Sequence, residues 1–333
     1  MLNRRQLLLG SAAVLAGVTG CARLQPVAPG APQEQLPPPD EGPRPLLRVA
    51  LLSDPHAVAA NSNLAGAING KFSQALADYQ PLRPDLWLVD GDITDGGAVS
   101  EYSAFKNLWK GTAKPEQLLV TTGNHDFYDQ GATDTEELRR FVQAFGFATA
   151  YSNRVAGGIH FVMLATEQWK SAPGSGDWAW LSPAQLQWFE KVLAEHRDKF
   201  TVVSLHQPLQ ETVYWSQGGA SNRFTGCGQL AELNGIMKRN PQVKVWLSGH
   251  THMGAEIPGN VIARSGVTYV GLGSTFYNFT PGGTDHEYGG FKKDLSASQS
   301  RMLEVWPDKV LIRARDHVAR VWNEKLDLTF KRG

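Results

Sequence analysis

Five times along this chain a short apolar run stops and metal-capable residues follow at once. The blocks are Asp54-Pro55-His56, Gly91-Asp92, Gly123-Asn124-His125-Asp126, His206, and Gly249-His250-Thr251-His252. The runs that lead into them are LLRVALLS (46–53), DLWLVDG (85–91), EQLLVTTG (116–123), KFTVVSLH (199–206) and VKVWLSGH (243–250), and they read as buried strands. Open α/β sheets bind their ligands at the carboxyl ends of strands. A lone Asp or His at a strand end is usually structural. Five such blocks in order demand a fold that gathers five strand ends around one site.

Helical patterns fill the gaps. They cover AGAINGKFSQALADY (65–79), residues 99–110, TDTEELRRFVQAFG (133–146) and residues 227–239. A further helix starts at Ser182-Pro183-Ala184-Gln185. Ser182 suits the N-cap, Pro183 the first helical position, and Gln185 would close a capping box. Leu186, Phe189 and Leu193 then form one apolar stripe. GIHFVMLAT (158–166), VTYVGLG (267–273), RMLEVW (301–306) and KVLIRAR (309–315) read as further strands. The order is α/β first and β-rich later, which predicts a layered sheet domain with helices outside.

Spacing has a chemical consequence. Asp54 and His56 are two apart, as are His250 and His252, so in an extended segment each pair points to one side. Gly91, Gly123 and Gly249 are expected to let the chain turn sharply as it leaves the sheet. Seven nitrogen and oxygen ligands are too many for one tetrahedral zinc. They suit two ions that share a carboxylate.

The ordered set D-x-H, GD, GNHD, H, GHxH resembles the calcineurin-like metallophosphoesterase superfamily over residues 54–252. The resemblance implies an α/β fold, a layered α/β/β/α sandwich of two mixed sheets flanked by helices. It implies a first metal on Asp54, His56, Asp92 and His252, and a second on Asp92, Asn124, His206 and His250, with Asp92 bridging. The cofactors would be two divalent or trivalent ions such as Mn, Fe or Zn. His125 would not ligate but would face the substrate phosphate. Two divalent ions with Asp54, Asp92 and a bridging hydroxide leave a charge near +1, enough to attract a phosphate ester. In the implied mechanism the hydroxide attacks phosphorus in line. His125 then stabilises the developing charge or protonates the leaving oxygen, with Asp126 orienting it. Asp90 and Asp95 are read as loop hydrogen-bonding residues.

Departures from subfamily patterns narrow the branch. Ser/Thr phosphatases of this superfamily carry Asp-Arg-Gly after GD, and here Ile93-Thr94-Asp95-Gly96-Gly97 follows. Purple acid phosphatases place a Tyr where this chain has Asp95. GNHD is similar to the bacterial phosphodiesterase-type branch, secreted or lipoprotein, which includes cyclic-nucleotide phosphodiesterases. The expected partner is a small phosphate ester, a cyclic nucleotide among the candidates. With 32 basic and 32 acidic residues, no dedicated nucleic-acid binding is expected. Substrate selection is placed in the loops. Tyr214, Trp215 and Arg223 either stack on a base and hold a phosphate, or belong to an ordinary inward-packed lid. Phe127 and Tyr128 could wall the same cleft, and Phe276, Tyr277 and Asn278 lie in a similar turn-like stretch.

The first residues read as an address. Residues 1–20 have two Arg, an apolar stretch from Leu7 to Val18 and small residues, the form of a signal peptide. Val18-Thr19-Gly20-Cys21 resembles a bacterial lipobox, with Cys21 as the lipidation site, and Arg4-Arg5 resembles a twin-arginine signal. Residues 21–45 form a Pro-rich linker, and 46–333 a phosphoesterase domain. The expected location is the bacterial periplasm or cell envelope, with membrane contact through the lipid only. Without residues 1–20 the chain holds 30 basic and 32 acidic residues, so phosphate attraction rests on the metals. Cys227 is read as a quiet buried thiol. The leading function is a dinuclear-metal phosphodiesterase. The alternatives are a phospholipid head-group phosphoesterase and a catalytically idle metal-binding scaffold.

Overall fold

Period-two burial organises the chain. In β1 (Leu47–Ser53), Val49 and Leu51 join one buried cluster while Ala50 and Leu52 join another. A strand buried on both faces must sit between layers. This computed structural model describes residues 43–173, 179–214, 216, 227–282 and 290–332. Cys21, Trp215, Arg223, His286 and the segment 1–20 lie outside the described residues. Pro39–Gly333 is one compact unit, and the other, Met1–Pro38, lies wholly outside them.

One sheet has the order β14 (Val321–Trp322), β13 (Lys309–Asp316), β12 (Gln299–Val305), β1, β2 (Leu86–Asp90), β3 (Leu118–Thr121), with β15 (Leu328–Lys331) also pairing with β13. β1, β2 and β3 are parallel, and β12 runs antiparallel to β1. The second sheet has the order β4 (Ser152–Ala156), β5 (Ile159–Met163), β6 (Phe200–Ser204), β7 (Val243–Ser248), β9 (Val267–Gly271), β8 (Val261–Arg264). Its β5, β6, β7 and β9 are parallel. A small hairpin pairs β10 (Asn278–Thr280) with β11 (Lys292–Asp294).

The interlayer core holds Val49, Leu51 and Leu88 from the first sheet and Phe161, Val202 and Leu247 from the second. On the outer face of the first sheet pack α1 (Ala65–Tyr79), α2 (Val99–Trp109) and α3 (Asp134–Phe145), through Phe72, Phe105 and Phe141. On the outer face of the second pack α4 (Pro183–Glu195) and α5 (Leu230–Arg239), through Phe189 and Leu233. The result is the expected α/β/β/α layering, two mixed sheets flanked by helices. Each fully buried Leu or Phe here contributes roughly 1.5–3 kcal/mol.

Helix ends follow their caps, with one difference. Thr133 accepts from Glu136 N and Gly146 ends α3 at φ 70°. Ser182 Oγ accepts from Gln185 N at 3.1 Å. The Gln185 side chain does not close a capping box. It bonds both Ala165 N (2.8 Å) and Ala165 O (3.0 Å), and Glu167 takes the Ser182 N–H at 2.7 Å. A buried amide satisfies a strand-end backbone pair better than an already satisfied helix start. Cys227 is buried, and burial pushes its thiol up to about 12.

A polar knot ties α1 to the sheet beneath it. Asp78 receives Arg315 Nε and Nη2 at 2.8 and 2.9 Å, and stands 2.9 Å from His317 Nδ1. His317 Nε2 is 2.7 Å from Ser300 Oγ. Hydroxyl, imidazole and carboxylate align, but all three are fully buried, so the line is structural. Among the described residues no helix is long and apolar enough to cross a membrane.

Candidate metal centre

The five parallel strands β1, β2, β3, β6 and β7 end on one side of the molecule, and the five sequence blocks begin where they stop. The chain leaves the sheets through strained corners. Asp54 (φ 51°), His56 (47°), Asp92 (44°), His250 (64°) and His252 (51°) all occupy the left-handed region. Cross-links hold these corners together. His56 N donates to Asp92 O at 2.9 Å, His125 N to Asp92 Oδ1 at 2.8 Å, and His250 N to Asp54 Oδ1 at 3.1 Å.

Two of the block glycines serve a purpose the sequence does not reveal. Only Gly91 has a positive φ, 69°. At Gly123 a Cβ would stand 2.2 Å from Asp92 Oδ1, and at Gly249 one would stand 2.0 Å from Ser53 Oγ. These two provide room rather than a turn.

The structure brings Asp54, His56, Asp92, Asn124, His206, His250 and His252 together, each buried. One group of candidate ligand atoms comprises Asp54, His56, Asp92 and His252, and an adjoining one Asp92, His206 and His250. His252 Nε2 lies 3.0 Å from Asp54 Oδ1, and His206 Nε2 lies 3.2 Å from Asp92 Oδ2. His250 Nδ1 is 2.8 Å from Asn124 Oδ1. Asn124 Nδ2 donates to Tyr128 Oη at 2.8 Å, which turns the amide oxygen inward.

The outer hydrogen bonds select the tautomers. His206 Nδ1 donates to Asp90 O at 2.6 Å and His252 Nδ1 to Tyr277 O at 3.1 Å. His56 Nδ1 faces the Asp95 carboxylate at 3.2 Å. In its neutral form each of these three rings would aim an Nε2 lone pair into the cluster, the arrangement expected of metal-binding histidines. His206 Nε2 is buried and makes no hydrogen bond among the described residues. Imidazole Nε2 atoms and carboxylate oxygens converging on one point fit cations, which would displace the protons held there without them.

Without ions the charges act on one another. Burial alone would raise the Asp92 carboxyl, but His206, His125 and His56 hold it well below the usual range. Burial would lower His206, but Asp92 and Asp54 outweigh it and push the imidazole up to about 10. Burial pushes Asp90 up to about 7, against His206 and the Ser204 hydroxyl. Its backbone oxygen, not its carboxylate, orients His206.

His125 is half-buried beside the cluster, its ring 4.3 Å from that of His56 and 4.1 Å from that of Tyr128. Its Nδ1 lies 2.9 Å from Asp95 O, so Asp95 orients both His125 and His56. The sequence gives no sign of this, because it depends on a loop folding back. Asp126 is placed otherwise than expected. Its carboxylate accepts from Thr94 N (3.1 Å), Thr94 Oγ1 (2.8 Å), Tyr102 Oη (3.1 Å) and Gly123 N (2.9 Å), and so stitches the loop after β2 to the loop after β3.

Half-buried aromatic rings stand around the imidazoles. Tyr128 lies 4.8 Å from Trp169, Tyr277 lies 4.1 Å from His252, and Phe276 lies 5.4 Å from His56. Phe127 is fully buried. Tyr214 N donates to Gly259 O at 2.8 Å, and its ring meets Phe291 at 5.2 Å, in a small cluster with Met253, Ile257 and Phe279.

The sequence pattern of the calcineurin-like phosphoesterase family matches residues 47–254. The chain is 28% identical over 246 residues to a probable cyclic nucleotide phosphodiesterase of Synechococcus sp. (strain WH7803), covering 70% of this chain and 84% of that protein. It is 26% identical over 282 residues to a cAMP/cGMP dual specificity phosphodiesterase of Mycobacterium tuberculosis, covering 81% and 80%. The fold is similar to a dimetal phosphatase from Danio rerio, with a TM-score of 0.60 at 14% identity, over 87% of this chain and all of that one (100%). With the family pattern spanning both sheets and every block of the cluster, the chain belongs to the calcineurin-like phosphoesterase family, metal-dependent hydrolases of phosphoric esters.

Proposed function

We propose that this chain is a phosphodiesterase acting on a small-molecule phosphate ester, with cyclic nucleotides the first class to test. The reading rests on one observation: seven buried side chains of metal-ligand type gather at one point, beside a half-buried His125 that is held by Asp95. Asp54, His56, Asp92 and His252 would hold one ion, and Asp92, Asn124, His206 and His250 the other. Bound there, two ions supply activation of water and neutralisation of phosphate charge for in-line displacement.

The chain's own residues do the rest. Asp95 O accepts a hydrogen bond from His125 Nδ1–H and leaves Nε2 to face the substrate. With Nε2 also protonated, His125 donates to phosphate oxygens and stabilises their charge, or passes that proton to the leaving oxygen. Tyr128 fixes the Asn124 amide and packs against His125. Export and lipidation at Cys21 are part of the same proposal and rest on the sequence of residues 1–21.

The test is turnover of bis-p-nitrophenyl phosphate against p-nitrophenyl phosphate, with Mn or Fe/Zn supplied. Preference for the diester, followed by hydrolysis of a cyclic nucleotide, is the expected result. Two bound metals with no turnover of either ester would support the idle scaffold instead.

A further inference from the structure

The end of the molecule opposite the metal centre carries a concentrated positive charge. A surface cavity of about 340 Å³ opens at the amino ends of β6 and β7 and the turn before β5. Its lining includes Arg197, Lys199, Lys244, Lys331 and Arg332, against one acid, Asp198. Arg332 donates to Gly157 O at 2.9 Å, and Lys199 pairs with Asp198. Arg197, Lys244 and Lys331 are exposed and make no ion pair among the described residues. In a chain of zero formal net charge, five cations around one cavity form a localised field.

The polypeptide reaches the body at this same end. β1 begins at Leu47, whose Cβ stands 2.7 Å from where a Cβ on Gly157 would lie, one residue from the cavity lining at Gly158. The Pro-rich segment 21–45 leads into that point. Extended at about 3.1 Å per residue, it would let the body stand up to roughly 75 Å from a lipid on Cys21.

We propose that this basic face docks on the anionic phospholipid surface of the membrane that carries the tether. Charge complementarity and the position at which the chain meets the body both point to a bilayer. Each Lys or Arg near an anionic surface adds roughly a factor of five to binding. β6 runs from Phe200 at the cavity to Ser204, about 13 Å of extended strand, and His206 of the cluster lies two residues beyond its far end. Docking through this face therefore leaves the metal centre turned toward water. It presents the site to a dissolved ester and turns it away from head groups in the same bilayer. The charge argument stands apart from the proposed phosphodiesterase activity.

The experiment uses the chain from residue 21 onward with Cys21→Ser, so that neither an acyl chain nor the apolar stretch from Leu7 to Val18 contributes. Sedimentation is measured with phosphatidylcholine vesicles, with and without phosphatidylglycerol, at low and high salt. Binding is expected only with phosphatidylglycerol, and is expected to disappear at high salt. Lys244→Ala with Lys331→Ala should weaken it about 30-fold and leave bis-p-nitrophenyl phosphate turnover unchanged. Equal binding to both vesicle types, binding indifferent to salt, or a preference for an oligonucleotide or acidic peptide over the anionic vesicles would overturn the proposal. Absence of turnover in both proteins, with vesicle binding as expected, would remove the phosphodiesterase reading and leave this one standing.

Discussion

His56 and His252 aim their Nε2 atoms at each other across 3.2 Å, while the Nδ1 of each faces an acceptor on the outer side, Asp95 and Tyr277 O. Two lone pairs so close repel unless a cation lies between them or one ring takes a proton. Stripping metal with a chelator should therefore lower the thermal midpoint, and restoring Mn or Zn should raise it again. Calorimetry with metal analysis checks this. A midpoint indifferent to the metal content would contradict the proposed ligand set.

Removing the Asp95 side chain should disturb the metal as well as the chemistry. Its carboxylate faces His56 Nδ1; burial would raise it, but the His56 hydrogen bond and charge outweigh that and hold it below the ordinary carboxyl range. Asp95→Ala should reduce metal affinity or turnover roughly 10- to 100-fold. Metal titration alongside kcat separates the two effects. Unchanged values for both would assign Asp95 to the loop alone.

His125→Ala should behave differently. The ring touches His56 and Tyr128 but lies outside the ligand set proposed for the two ions. Turnover should fall between about 100- and 10,000-fold while two metals stay bound. Loss of both metals in the variant would move His125 into the ligand set.

Gly123→Ala tests the room that the centre requires. The added Cβ would meet Asp92 Oδ1 at 2.2 Å, Asp92 N at 2.4 Å and the His206 ring at 2.6 Å, so the carboxylate, the ring and the backbone after β2 must all shift. A displacement of about 1 Å in a reacting constellation lowers the rate roughly 100-fold. The fold should survive, as judged by circular dichroism and the denaturant midpoint. Full activity in this variant would show that Asp92 has slack.

Acid stability should depend on Asp78. Burial alone would raise its carboxyl, but the Arg315 and His317 hydrogen bonds outweigh it and bring it down to about 2, from 3.8. Its stabilisation is complete above the unfolded value and drains away as the pH falls from there through 2. The full effect is about 2 kcal/mol. His317, which burial holds low against Asp78, adds a loss of stability as the pH drops below 6.5. Asp78→Asn should cost about 3–5 kcal/mol at neutral pH by leaving Arg315 buried and unpaired. It should also flatten the decline between about pH 4 and pH 2. Denaturant midpoints across that range for both proteins give the answer.

Local signals made the framework legible. Strands β1, β2, β3, β6 and β7 announce themselves as apolar runs because both of their faces are buried. The metal-capable residues follow them directly, so order along the chain already placed them at one end. β4, β8, β11, β14 and β15 escaped, because short strands with exposed positions carry little apolar periodicity, and β10 escaped because it is three residues long. The roles of Asp95, Tyr128 and Trp169 were hidden for another reason. Each depends on which face of a returning loop meets an imidazole or its neighbour, and spacing does not encode that. Asp126 sits next to His125 in sequence, yet its carboxylate bonds to residues of the loop after β2 instead. Adjacency along the chain was the wrong guide there.

The left-handed corners at Asp54, His56, Asp92, His250 and His252 carry a lesson for anyone engineering this protein. Each non-glycine residue held there costs on the order of 1–2 kcal/mol. Glycine at any of these corners would relax the backbone and delete a proposed ligand in one step. A screen that rewards heat resistance alone would drift toward just those replacements and return a sturdier, inert protein. Only selection that reads turnover in the same assay would keep the corners as they are.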